Sequence, residues 1–192
     1  MKKTLFLIIS ILLFYSACSF KETNTSLLKH EYLFANLPST YKLMNKYYIN
    51  NNRRLVFIPY SQNENNYQEM ISTTINTVSS GLYLREYIYK LKISWFIKCK
   101  NSSLDILGQG IENTYEVAFI SVFCPHSSIP NKNMSIFIKI IKGKERFYTI
   151  EKTFLYSPSA KQTIETMIYL KGVKVCDSRR NNCYKIKSKV KF

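Results

Sequence analysis

Few side chains in this sequence are equipped to make or break bonds, and the thiols say most. Five cysteines stand at positions 18, 99, 124, 176 and 183. Cys99, Cys124, Cys176 and Cys183 form an even set, as two disulfides in an oxidising compartment would need, with three connectivities open. Cys99–Cys124 with Cys176–Cys183 is favoured. A Cys176–Cys183 bridge would close the short polar loop Asp177-Ser178-Arg179-Arg180-Asn181-Asn182 and present its cations. A Cys99–Cys124 bridge would join two strands, or a helix end to a strand, if their Cβ atoms come close. The spacings lack a close Cys-x-x-Cys pair, so no metal is expected.

His30 and His126 are the two histidines. A thiol or hydroxyl nucleophile needs a base in contact with it and a third group to orient that base. In Cys124-Pro125-His126-Ser127-Ser128 the neighbours at a strand end point apart, and a disulfide would consume the sulfur. A surface-loop histidine is the simpler account. Glu112 and Glu116 are the candidate acid pair for glycan hydrolysis, which needs carboxylates about 5 to 9 Å apart. Their spacing across a turn into a strand leaves that separation open, and Asp105 reads as an edge or loop residue. No Gly-x-Ser-x-Gly elbow and no His-Glu-x-x-His zinc site occurs. The glycines at 108, 110, 143 and 172 make no phosphate-binding loop. The expected protein is therefore non-catalytic, with no cofactor.

The N-terminus carries the clearest signal. Met1-Lys2-Lys3 is a positive head, residues 5–15 are apolar except for Ser10, and Ser16-Ala17 is a small-residue junction before Cys18. The run is too short to cross a hydrocarbon core of roughly 30 Å and reads as an export signal. Residues 14–19 resemble the processing site of bacterial lipoproteins. Ser16 and Ala17 match the small residues before the lipid-acceptor cysteine, whereas Tyr15 stands where that family prefers Leu. The resemblance implies acylation of Cys18, palmitate included. Ser19 in the next position implies sorting to the periplasmic face of a Gram-negative outer membrane. More than one acyl chain makes such an anchor stable, at about 0.8 kcal/mol per buried methylene.

On this reading residues 1–17 are a signal peptide, 18–40 a lipid-anchored tether, 41–175 a domain, and 176–192 a basic loop and tail. The 192 residues are 46% hydrophobic and include 15 Tyr and 12 Phe, enough apolar area for one core. Residues 41–48 and 54–59 read as a hairpin about Asn50-Asn51-Asn52. Residues 67–75 are ambiguous, since Tyr67, Met70 and Ile71 suit a helical face. Residues 82–95 are expected to be a helix whose covered side carries Leu82, Glu86, Tyr89 and Ile93. Strands are expected over 103–108, Tyr115–Cys124, 134–141 and Arg146–Phe154, with a hairpin turn at Lys142-Gly143-Lys144-Glu145. In the second of these, expected to be central, Val117, Phe119, Ser121 and Phe123 share a face. Ser157 is expected to cap a last helix, with Pro158 at its first position and Ile164, Met167, Ile168 and Lys171 on one face up to Gly172. Together the elements make a single α+β domain, an antiparallel sheet with helices packed on one face.

Asn66-Tyr67-Gln68-Glu69-Met70, Cys99 ahead of Leu107-Gly108, Phe123-Cys124-Pro125, and Lys139-Ile140-Ile141-Lys142-Gly143 followed by Phe147-Tyr148 form a second pattern. It resembles that of a group of small exported Gram-negative proteins whose activity is not established. Over residues 65–154 this resemblance implies a shared fold and a Cys99–Cys124 bridge.

The net charge is +16, or +14 once Lys2 and Lys3 leave with the signal. Outside the cytoplasm such a chain meets lipid phosphates, lipopolysaccharide and acidic polymers, so nucleic acid is not the expected partner. Cations are densest over residues 171–191, where Arg179, Arg180, Lys185 and Lys187 are the candidate contacts for an envelope protein or anionic envelope polymer. The bilayer itself would be engaged through acylated Cys18. The expected function is a binding or structural component of the envelope, within a secretion or surface assembly. A wall-glycan hydrolase, an immunity or inhibitor lipoprotein and a DNA-uptake factor are the alternatives.

Overall fold

The computed structural model describes residues 30–49, 52–77, 81–125 and 133–179. In chain order these hold β1 (Glu31–Phe34), β2 (Tyr41–Ile49), β3 (Asn52–Pro59), β4 (Glu69–Thr77), α1 (Leu84–Lys98), β5 (Ser103–Glu112), β6 (Tyr115–Cys124), β7 (Met134–Lys142), β8 (Arg146–Phe154), α2 (Ala160–Gly172) and β9 (Lys174–Asp177). Seven strands form one sheet in the order β2-β3-β4-β8-β7-β6-β5, and β1 pairs with β9 in a separate ribbon. Every pairing is antiparallel.

Strand alternation divides the core between the two faces of the sheet. Ala118, Ile120 and Val122 of β6 share a face with Ile136, Ile138 and Ile140 of β7 and Phe147 of β8, and Leu84 and Ile88 of α1 close that cluster. Val117, Ile141, Tyr148 and Ile150 face the other way and meet Leu170 of α2 with Leu33, Val173 and Val175 around the ribbon. The architecture is α+β, an antiparallel sheet with two helices packed against it. The helices do not share one side as expected, however. β6, β7 and β8 are apolar on both faces, so each face needs its own cover.

Several local expectations change for identifiable reasons. β4 occupies the ambiguous segment as a strand: Thr73, Thr74 and Ile75 are β-branched, and Ile71 and Ile75 alternate into the core. β8 lies at the centre of the sheet, whereas β6 is next to its edge. The fold also begins before Tyr41, because Leu33 and Ala35 are core residues.

Both helices are rotated relative to their expected faces. α1 buries Leu84 and Ile88, with Leu91 and Trp95 packed beside them, and leaves Glu86, Tyr89 and Ile93 outside. Tyr87 anchors it further, stacking on Phe147 with ring centroids 4.3 Å apart. α2 buries Thr166 and Leu170 and exposes Ile164 and Ile168. Its cap is Ser159 rather than Ser157. Ser159 Oγ accepts the Gln162 N–H at 3.3 Å, and Gln162 Oε1 accepts the Ser159 N–H at 2.9 Å.

Candidate functional site

The face beneath α2 holds two lysines where the strand pattern calls for apolar side chains. On β8, Lys152 lies between Ile150 and Phe154 in the alternation. Its ammonium donates to Tyr41 Oη and to the Glu69 carboxylate, and sits 4.7 and 4.8 Å from the ring centroids of Tyr41 and Phe154. Burial lowers its pKa, and the bond to Glu69 pulls the other way. Burial, then the charge of Glu69, push the Tyr41 phenol far above its ordinary range. The pair borders a cleft of about 280 Å³ that Gln162, Glu165 and Tyr169 of α2 help to line. The ammonium is enclosed by an anion, a phenol and two ring faces.

On β7, Lys139 is wholly buried. It donates to Glu112 Oε2 at 2.6 Å and to the Val173 carbonyl at 2.7 Å, with its ammonium 5.0 Å from the Phe119 ring centroid. Burial lowers its pKa against the influence of Glu112. This contact ties edge strand β5 to the chain leaving α2. Glu116 pairs instead with Lys142 at 2.9 Å. In the β5–β6 register Glu112 lies opposite Tyr115 and Glu116 opposite Ile111, so the two carboxylates project from opposite faces of the sheet. They cannot flank one glycosidic bond.

A second opening lies over β2, β3 and β4, on the face that α1 covers farther along the sheet. It is a groove of about 540 Å³ with Met44, Tyr47, Tyr67 and Met70 in its walls and Arg54 beside them. Arg54 Nη2 donates to Ser72 Oγ at 3.2 Å and to Glu151 Oε2 at 3.3 Å. Such a surface suits an apolar body more than a charged one.

The third site is the end of the fold where both chain segments leave. Glu31 faces Asp177 across the ribbon. The buried Glu31 carboxylate accepts the Lys144 backbone N–H at 3.1 and 3.2 Å. Asp177 is also buried and accepts Arg179 Nε at 2.9 Å, Arg179 Nη2 at 2.8 Å and the Arg179 backbone N–H at 3.0 Å. The Arg179 guanidinium, then its backbone N–H, hold this carboxyl well below the usual range although burial acts the other way.

Among the residues singled out from sequence, Cys99 and Cys124 are joined by a disulfide with Cα atoms 6.0 Å apart. It fastens the C-cap of α1 to the end of β6. Cys176 is also disulfide-bonded. Cys18, His126, Arg180, Cys183, Lys185 and Lys187 lie outside the described residues. Arg179 is a partner of Asp177 rather than a free cation. Sequence reasoning missed Lys139 and Lys152. Their signal was a lysine at an inward position of an otherwise apolar strand, legible only once the register is known.

These features define a disulfide-stapled α+β domain in which the buried Lys139, Lys152 and Asp177 are paired with opposite charges. No family model matches the chain, and no curated protein matches its sequence. Among solved structures, the backbone is similar to LpqN, involved in cell envelope biogenesis of Mycobacterium tuberculosis. The TM-score is 0.46 at 10% identity, over 76% of this chain and 84% of that one. It is also similar to the cyanobacterial PsbP of Synechocystis, with a TM-score of 0.42 at 10% identity, over 76% of this chain and 92% of that one. At this identity the likeness lies in the backbone path alone.

Proposed function

We propose that this chain is an envelope lipoprotein, held to the periplasmic face of an outer membrane by acylated Cys18. It acts as a non-catalytic binding component that engages an anionic part of the envelope through its basic C-terminal segment. The observation that carries this reading is the β1–β9 ribbon. Glu31 pairs with Asp177, and the Ser178 N–H donates to the His30 carbonyl at 2.8 Å. His30 and Ser178, from which the chain continues toward Cys18 and toward Arg180, Lys185 and Lys187, therefore lie side by side, and an anchor at Cys18 would carry those cations toward the surface. Arg179 is engaged by Asp177, which leaves the other three to make the contact. The divergence of Glu112 and Glu116 supports a binding role over glycan hydrolysis.

Two measurements test the proposal. The mass of the mature amino terminus should show acylation that Cys18→Ser abolishes. Purified lipopolysaccharide should bind the mature chain with a salt dependence that Arg180→Glu, Lys185→Glu and Lys187→Glu together flatten. A full-length, unmodified product in the cell would refute the anchor. An unchanged salt profile would remove the contact site.

A further inference from the structure

α1 is apolar on two sides, and the sheet uses one of them. At about 100° per residue, Leu84, Ile88, Leu91 and Trp95 fall together, and these pack on the sheet. Tyr89, Ile93, Phe96 and Ile97 fall together on the opposite side, with relative exposures of 64, 43, 63 and 78%. Arg85 and Lys92 border this outer stripe along one flank and Lys90 along the other, with Lys98 farther round. All four are exposed, and Glu86, the one acid in the helix, is exposed on the stripe's own side in the first turn. Glu86 turns back to accept the Tyr83 N–H at 3.3 Å. Among the described residues, Arg85, Lys90 and Lys92 form no ion pair.

We infer that the outer face of α1 is a docking surface for an anionic phospholipid bilayer, on which the helix lies flat. An aromatic and aliphatic stripe flanked on both sides by long cations matches the interfacial region. The rings enter the acyl boundary while the lysine stems run up to the phosphates. The same flanks oppose a second copy as the occupant, because face-to-face pairing would set lysine against lysine. The helix is rigid enough to act as a platform: its inner side is buried, and the disulfide Cys99–Cys124 pins its end.

Reach is sufficient. The 15 residues of α1 span about 22 Å, and the chain from Cys18 to His30 can extend about 40 Å. That chain enters at the Lys144 turn held by Glu31, and the neighbouring Lys142 ammonium lies 5.2 Å from the Tyr83 ring at the start of α1. The helix thus starts near the turn that Glu31 holds, on the other face of the sheet, and runs along the sheet from there. This inference deepens the membrane-tethered reading above and rests on it for the presence of a bilayer.

The test uses the chain from residue 18 with Cys18→Ser, which lacks an acyl group and retains every element described. Flotation with vesicles of phosphatidylglycerol and phosphatidylethanolamine should recover it about tenfold more strongly than phosphatidylcholine vesicles do. Phe96→Ser with Ile97→Ser, and separately Lys90→Glu with Lys92→Glu, should each weaken that binding about tenfold. Circular dichroism should be unchanged, because all four side chains are exposed. Full binding by both variants overturns the inference. So does a lipid-free dimer that Phe96→Ser dissolves. If only the Arg180, Lys185 and Lys187 reversals abolish flotation, α1 is not the surface and the function proposed above stands. If Cys18 is unmodified in cells while the unacylated chain still binds vesicles through α1, the anchor falls and this surface remains.

Discussion

Removing Glu112 should damage the fold more than removing the lysine it neutralises. Lys139 is fully buried, whereas the Glu112 side chain is 34% exposed. In Glu112→Gln the ammonium stays buried against the Val173 carbonyl and the Phe119 ring, without its anion. Breaking a fully buried pair costs about 3–5 kcal/mol. Water reaching the partly exposed position lowers this to about 2 kcal/mol. In Lys139→Met the volume is kept, Glu112 turns into solvent, and the cost should be about 1 kcal/mol or less.

Urea unfolding of the chain from residue 18, followed by circular dichroism at neutral pH, resolves the two. A loss of about 2 kcal/mol shifts the midpoint by about 1 M. The pH dependence gives an independent sign. Burial already lowers the folded Lys139 pKa below its ordinary 10.5, and losing Glu112 removes the influence that raises it. Between the folded value and 10.5 the unfolded chain binds the extra proton, so the stability of Glu112→Gln should climb as pH rises through the alkaline range. Equal losses in the two variants, or a larger loss in Lys139→Met, would refute the reasoning.

Three further outcomes are expected. A Cβ at Gly143 would lie 2.6 Å from Glu31 Oε2, 2.7 Å from the Tyr148 ring and 2.9 Å from the Arg146 carbonyl. Gly143→Ala should therefore cost about 2 kcal/mol, read as a lower thermal midpoint. Opening Cys99–Cys124, which encloses a sequence separation of 25 residues, should cost about 3 kcal/mol in urea unfolding of the Cys99→Ser, Cys124→Ser double variant. Asp177 has its folded pKa depressed, so its contribution is complete above its ordinary 3.8 and is lost as pH falls through the folded value. Asp177→Asn should be less stable at neutral pH and should show a flatter acid-unfolding profile, measured by fluorescence between pH 5 and 2.

Strand identity was largely legible without coordinates. β6 and β8 carry runs of β-branched and aromatic residues bounded by turn formers, and Gly143 marks the hairpin between β7 and β8. Those are local preferences, set by residues close in sequence. The helix faces were not legible. α1 offers two apolar stripes of similar strength, and the outer one, with Tyr89 and Ile93, is the more conspicuous in sequence. The inner one is buried because Phe147 and the even-numbered residues of β6 and β7 are shaped to receive it.

What the sequence determined by itself is the count of thiols, the excess of cations and the identity of most elements between Tyr41 and Gly172, all properties of neighbouring residues. Tertiary structure alone decided that Lys139 and Lys152 lie inside, that Glu112 and Glu116 part company, that Arg179 is already engaged, and that Glu31–Phe34 and Lys174–Asp177 pair in one ribbon. Each depends on which strand lies beside which. Burial and charge pairing are relations between residues far apart in sequence, and they exist only once the sheet has closed.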